Sequence, residues 1–232
     1  MTNTPDKLSI SQSMSPLWEM MSDEQRNMFV DSIEVANYKR GDIVFEEGDM
    51  ANYVMYILEG KVKFLVKAID GKQRIISIKG EHEWLALQAS FTNGYHNTTA
   101  QVTSDATIIK LPHHMFLKLV DENHDFSRYV INKIATSLDA VIHHMLSFQR
   151  KHLRGRLADS LLYLIDKFGF EDDGKTLCVY PSREDLANNS NMDISNAIRT
   201  LSAFASEGII TIKARRISII DIEKLRWISA KE

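Results

Sequence analysis

From Asp125 to Lys151 the sequence contains neither glycine nor proline, and Ile131, Ile134, Leu138, Val141, Met145 and Phe148 recur at alternating intervals of three and four residues. That spacing is the heptad stripe of one long helix. Such a helix presents a narrow apolar seam that needs a partner, and it separates an N-terminal part of the chain from a C-terminal one. Two partners are open to it, the chain's own N-terminal domain or the same helix of a second copy. The repeat persists for more than two heptads with little charge along it, which favours a homodimer.

Before the helix, from about Tyr38 to Leu111, the texture is that of short strands. Gly41, Gly48, Gly60, Gly71 and Gly80 fall at turn-like intervals, separated by runs rich in Val, Ile, Tyr and Phe. Many short strands with regular turn signals predict an antiparallel barrel or sandwich, and Asp70-Gly71 reads as a hairpin turn.

After the helix the order of elements is informative. "RGRLADSLLYLIDKFG" reads as a short amphipathic helix ended by Gly169, "FEDDGKT" as a loop and "LCVYP" as a short strand. Residues 182–201, "SREDLANNSNMDISNAIRTL", read as two short helices joined by a turn. Ser182 is a good N-cap, with Asp185 completing a capping box, and Asp193 is the cap candidate of the second helix. Asn191 sits where the turn needs a residue that tolerates positive φ. Ile194, Ala197, Ile198 and Leu201 form the predicted apolar stripe, leaving Ser195, Asn196, Arg199 and Thr200 as polar side chains able to reach bases or phosphates. "EGIITIKARRISIID" predicts a hairpin whose tip carries Lys213, Arg215 and Arg216. A purely structural hairpin has little need of three cations there, whereas one lying along a phosphate backbone does. Helix, strand, helix-turn-helix and hairpin in this order predict a winged helix-turn-helix.

The 232 residues suffice for one large domain or two small ones, and the net charge of -3 means that any DNA-binding surface must be a local basic patch. The polar N-terminus is not expected to be a signal peptide, and no run approaches the ~18 apolar residues of a membrane span. Cys178 is the one cysteine, which excludes intrachain disulfides. A cytoplasmic protein is expected. No Ser-His-Asp, Cys-His, paired-carboxylate or Gly-rich phosphate constellation stands at meaningful spacing, so an enzyme is not.

These motifs resemble the CRP/FNR transcription regulators. The resemblance runs from about Tyr38 to Arg226 and is carried by "YKRGDIVFEEGD", "YILEGKVKFL", the long helix followed by "RGRLADSLLYL", "SREDLA", the second helix, and "EGIITIKARRISIIDIEKL". It implies an α+β chain with an N-terminal double-stranded β-helix (jelly-roll) sensor over residues 1–124. A dimerisation helix over 125–152 and a winged helix-turn-helix over 153–232 would complete it. It also implies a parallel homodimer on palindromic double-stranded DNA, with RNA polymerase as a possible further partner. By position, the phosphate-contacting residues fall on Ser182 and Arg183, and the base-reading helix on Ile194 to Leu201. The family's Arg-Glu pair at the start of that helix is replaced by Ile194 and Ser195, while its later arginine is kept as Arg199. A guanidinium for guanine and a carboxylate for cytosine are thereby lost. Ile194 can instead touch a thymine methyl or face the core, Asn196 can pair with adenine, and Arg199 can reach guanine or phosphate.

A cyclic-nucleotide pocket in this family needs a Gly-Glu segment for the ribose and an Arg-Ser or Arg-Thr for the cyclic phosphate. The glutamate position falls on Leu85 or Ala86, the arginine position on His96 or Asn97, and the helix's base-approaching polar pair on Val141 and Ile142. A phosphate without arginine loses its bidentate partner, so tight cAMP or cGMP binding is not expected. One cysteine cannot hold an iron–sulfur cluster. Of the eight histidines, His113 and His114 are adjacent, as are His143 and His144, so neither pair can chelate one metal. No metal or cofactor is expected, haem through a distant histidine pair being the alternative. Trp84 with His82 and His96 either lines a smaller, more apolar pocket for an unidentified effector or is plain core. The rival function is a cyclic-nucleotide sensor whose C-terminal domain binds a protein, against which the basic wing and Arg183 argue. Effector, operator, and activation versus repression are not legible.

Overall fold

The computed structural model describes residues 7–67, 71 and 73–232, apart from the side chains of residues 143, 144 and 147–149. Asp70 and the side chains of His143, His144 and Phe148 therefore lie outside the described residues. The chain forms two compact units. One comprises the chain up to Val66 with Ser77–Asp139, the other Ala140–Glu232 with the described part of Lys67–Ile76.

In chain order the first elements are α1 (Lys7–Gln12), α2 (Leu17–Met20) and α3 (Asp23–Ser32), the last opened by a full capping box between Ser22 and Gln25. Six strands come next: β1 (Glu34–Tyr38), β2 (Ile43–Phe45), β3 (Tyr53–Lys67), β4 (Gln73–Lys79), β5 (Trp84–Leu85) and β6 (Thr99–Pro112). They form one sheet in the order β1-β6-β3-β4, with β2 joined to β6 and β5 to β3. A 3-10 turn, Gln88–Phe91, separates β5 from β6, and α4 (His113–Glu122) and α5 (His124–Arg150) complete the series.

β3 serves two cores. Val54, Tyr56 and Leu58 pack with helical residues such as Leu17, Phe29, Phe116 and Phe126, while Met55 and Ile57 face the interior of the roll with Leu85, Ala106 and Ile108. Alternate side chains of a strand point to opposite faces, so burial of both faces explains the nearly unbroken apolar run "YVMYIL". Past Gly60 the parity reverses, and Val62 and Phe64 now face the roll interior. The pairing with β6 carries the reason: Ile57 stands opposite Ile108 but Val62 opposite Val102, so that across the shifts at Glu59 and Lys61 β3 advances five residues while β6 advances six. A one-residue slip exchanges the two faces of a strand. Gly60, expected to mark a turn, thus lies inside a 15-residue strand. It has φ of +94°, and a Cβ placed on it would stand 2.5 Å from the Asp105 carbonyl oxygen and 2.6 Å from the Ala106 Cβ.

The seam of α5 divides. Ile134 packs against the first unit's helical core, whereas Ile131, Leu138, Val141 and Met145 are exposed. At Ile134, therefore, the first of the two partners open to the stripe, the chain's own domain, is already engaged.

The second unit contains α6 (Leu153–Phe168), α7 (Arg183–Asn189), α8 (Ile194–Ser206), the hairpin β7 (Ile210–Lys213) with β8 (Arg216–Ile219), and α9 (Ile222–Lys231). "LCVYP" does not form a strand of its own. Only Thr176 and Leu177 make isolated bridges, to Ser218 and Phe170, and the Leu177 amide donates to the Ile217 carbonyl at 3.0 Å. Leu157, Leu161, Leu186, Leu201, Phe204, Ile217 and Leu225 form the core. Arg154 fastens its edge, donating to both Glu207 oxygens at 2.7 and 3.0 Å and to Glu232 Oε2 at 2.9 Å, with its guanidinium 5.1 Å from the Phe204 ring centre. Among the described residues no helix is long and apolar enough to cross a membrane.

The bulge gives a direct test. Gly60→Ala combines a positive φ with a backbone clash and is expected to cost about 2 kcal/mol or more of stability, read as a lowered urea midpoint. Gly41→Ala, which has φ of +99° but no atom within 4 Å of its Cβ, should cost less.

Candidate nucleic-acid interface and effector pocket

α7 and α8 are built by local chemistry that the sequence states openly. Ser182 Oγ accepts from the Asp185 amide at 3.0 Å, and Asp185 Oδ2 accepts from the Ser182 amide at 2.8 Å. Both halves of the capping box are therefore present. Asn191 has φ of 47°, as the turn requires, and its carbonyl accepts from Arg156 Nη1 at 2.8 Å. Asp193 occupies the N-cap of α8 but makes no side-chain capping bond.

The buried stripe of α8 is Ala197, Thr200, Leu201 and Phe204. Ile194 and Ile198, expected in that stripe, are instead 42% and 45% exposed, beside exposed Ser195 and Arg199. The core takes the face centred on Ala197 and Leu201, which rotates both isoleucines outward. Thr200, expected to be free for DNA, is buried and donates to the Asn196 carbonyl at 2.9 Å. Asn196 is half-buried, and its Oδ1 accepts from Arg199 Nη2.

The wing closes through a two-residue loop, Ala214-Arg215, between paired Lys213 and Arg216. Arg183 Nη2 reaches the Ala214 carbonyl at 3.4 Å, which brings the start of α7 to the wing tip. Lys213 and Arg215 are exposed there. Arg216 is not a third free cation: it is ion-paired with Glu171, 5.8 Å over the Tyr180 ring. A carboxylate from the preceding loop claims it.

The β-roll holds a cavity of about 300 Å³. Phe45, Phe64, Tyr95 and His96 give it an aromatic side, and Gln88, Thr92, Asn93, Asn97 and Thr98 supply neutral polar groups, with Ala86 and Ala89 completing it. Among the described residues no lysine, arginine, aspartate or glutamate lines it. The His96 ring is 6% exposed and stacks on Phe45 at 3.7 Å between ring centres. Burial holds its pKa below the ordinary 6.5, against a weaker opposing effect of Asp49.

Of the residues expected at a pocket, Ala86, His96 and Asn97 line it. Trp84 is core instead, 5.1 Å from Tyr56 and 6.2 Å from Phe116 between ring centres, its Nε1 donating to the Tyr129 hydroxyl at 3.2 Å. Leu85 is buried inside the roll, and His82 turns toward Tyr56, its Nδ1 lying 3.4 Å from that hydroxyl. Val141 and Ile142 are exposed on α5. Ala86 has φ of 62°, a conformation that favours glycine, so the family's Gly-Glu segment is better placed on Ala86 and Leu87. Leu87 is buried in the helical core and carries no carboxylate. Phe45, Phe64, Gln88 and Tyr95 escaped sequence reasoning, since β2, β3 and the turn after β5 meet only through the roll.

Two family models match this chain: a cyclic nucleotide-binding domain over residues 35–123 and a Crp-like helix-turn-helix domain over residues 155–228. The CRP-like cAMP-activated global transcriptional regulator of Mycobacterium tuberculosis is 22% identical over 194 residues, covering 83% of this chain and 87% of that protein. The nitrogen fixation regulation protein FixK of Bradyrhizobium diazoefficiens is 22% identical over 195 residues, covering 84% and 81%. The structure of FixK2 from Bradyrhizobium japonicum has a similar fold, with a TM-score of 0.75 at 20% identity over 86% of this chain and 98% of that one.

Burial of neutral His96 generates a pH prediction. The unfolded chain takes up a proton near the ordinary value while the folded one resists it, so stability is full above about pH 6.5 and falls as pH drops below it. Thermal melting between pH 7.5 and 5.5 should fall less steeply for His96→Gln than for the wild type. Equal slopes would mean that His96 does not contribute.

Proposed function

The chain belongs to the CRP/FNR family of transcription regulators, and from that premise we propose that it acts as a homodimer on palindromic DNA, controlled by an effector other than a cyclic nucleotide. The observation that carries the DNA reading is the contact of Arg183 with the wing loop. It gathers Ser182, Arg183, Lys213 and Arg215 at one edge of a chain whose net charge is -3, which is the local basic patch that phosphate binding needs. Arg199, held by Asn196, is the base- or phosphate-contacting arginine of α8. The working division is a sensor to residue 124, a dimerisation helix over 125–152 and a DNA-binding domain from 153, in a cytoplasmic protein.

Exposed Ile131, Leu138, Val141 and Met145 support dimerisation through α5, since four large apolar side chains on one seam are costly to leave in water. The uncharged lining of the β-roll cavity supports the reading of the effector. A cyclic phosphate brought there would lose hydration with no cation among the described lining residues to pair it. The Mycobacterium tuberculosis relative is described as cAMP-activated; this chain keeps the roll without that chemistry. The alternative, a C-terminal domain that binds protein, draws support from exposed Trp227 and Ile220, a surface that a polymerase contact would also use.

Against an operator selected from random DNA, Arg199→Ala should weaken specific binding by about 1–3 kcal/mol. Arg183→Ala should weaken it for all sequences and flatten the salt dependence. Gel shifts across a salt series separate the two, and wild-type affinity in the Arg199 variant would remove that residue from the interface. Calorimetric titration with cAMP or cGMP at micromolar concentration should give no saturable heat, and a clear isotherm would refute the non-nucleotide reading.

A further inference from the structure

We infer that Ile194 and Ile198 form a two-residue reading ridge for thymine, so that this regulator selects its half-site through C5-methyl groups. The inference rests on the DNA-binding reading of α8 and deepens it. α8 runs 13 residues, Ile194–Ser206, and its buried stripe is complete without either isoleucine. Residues four apart on a helix lie one above the other on the same face. Ile194 and Ile198 therefore present one continuous apolar ridge, 42% and 45% exposed.

Folding gives no reason for that ridge. β-branched residues are weaker helix formers than the lysine, glutamate or glutamine usual on a solvent face, and their exposed surface is unfavourable in water. The positions around it are polar: Ser195, Arg199 and Ser202 are all exposed. An apolar strip two side chains long with polar flanks is small for a protein–protein contact, which buries some 800 Å² on each partner. It fits the major groove, whose walls are phosphate and whose one apolar feature is the thymine methyl. The charges of the same unit agree, because Arg183, Lys213 and Arg215 supply the phosphate contacts that such a docking requires.

The geometry also limits the site. One helical turn advances about 5–6 Å, comparable with the rise over two base-pair steps, so the ridge spans neighbouring A·T pairs. Asn196 Oδ1 accepts from Arg199, so Asn196 also positions the guanidinium beside the ridge.

Replacing thymine by deoxyuridine removes the C5 methyl and leaves every hydrogen-bonding group of the base pair in place. A site would first be selected from random DNA with the full-length protein, and each thymine then replaced singly. At one or two symmetry-related positions per half-site, uracil should weaken wild-type binding about threefold to tenfold. The Ile194→Ser and Ile198→Ser variants should each bind the thymine site more weakly and lose that sensitivity at one position. Both sites are exposed, and unchanged thermal melting would establish that the variants fold. Specific binding with no uracil-sensitive position, or with equal sensitivity in the variants, overturns the thymine reading alone. Failure to select any site, with only salt-sensitive nonspecific binding, overturns the DNA-reading premise instead.

Discussion

A single strand lies between two apolar interiors, and the rest of the sensor unit depends on how it does so. β3 gives Val54 and Tyr56 to the helical core and Met55 and Ile57 to the roll. Were its alternation unbroken, Val62 and Phe64 would point away from the roll. The one-residue register shift around Gly60 turns them inward, and Phe64 then becomes a wall of the cavity in the roll. Only a residue without Cβ passes that close to Asp105 and Ala106. The cavity is therefore a consequence of backbone register as much as of side-chain choice.

The groups that surround the cavity decide its ligand. An anion that gives up hydration on entering a cavity needs a cation or several donors aimed at it in exchange. The roll offers amides, hydroxyls and a stacked, neutral His96. These described groups fit the proposed uncharged ligand with an aromatic face better than a phosphate. The same roll in relatives can carry different side chains, and a shared fold does not transmit a shared ligand.

Much of the DNA-binding unit was legible because its elements are locally encoded. The Ser182–Asp185 box, the left-handed Asn191 and the length of α5 each depend on near neighbours. The misreadings share one cause, that a tertiary partner decides. Gly60 looked like a turn because its bulge exists only opposite β6. Ile198 looked like core because an apolar stripe has no intrinsic direction until Leu201 and Phe204 fix it. Arg216 looked free because Glu171 is 45 residues away. Trp84 was ambiguous until Tyr56, Phe116 and Tyr129 enclosed it. The cavity was least legible of all, since β2, β3 and the segment after β5 share no sequence pattern.

In α8, scaffold and reading surface occupy separate faces. Ala197, Leu201 and Phe204 hold the helix to the core, Arg154 binds Glu207 at its C-terminal end, and the Ser182–Asp185 capping box opens α7. None of these groups is exposed on the face bearing Ile194, Ile198 and Arg199. Substitutions on that face therefore change which bases are contacted while costing little stability, as is usual for surface positions away from caps and cores. That separation explains how a helix-turn-helix of ordinary construction can lose the family's guanidinium–carboxylate pair and remain folded. The exchange replaces two charged, directional contacts with apolar ones. With the proposed thymine ridge, it shifts discrimination from hydrogen-bond pattern toward methyl recognition, and leaves the surrounding cations to supply affinity.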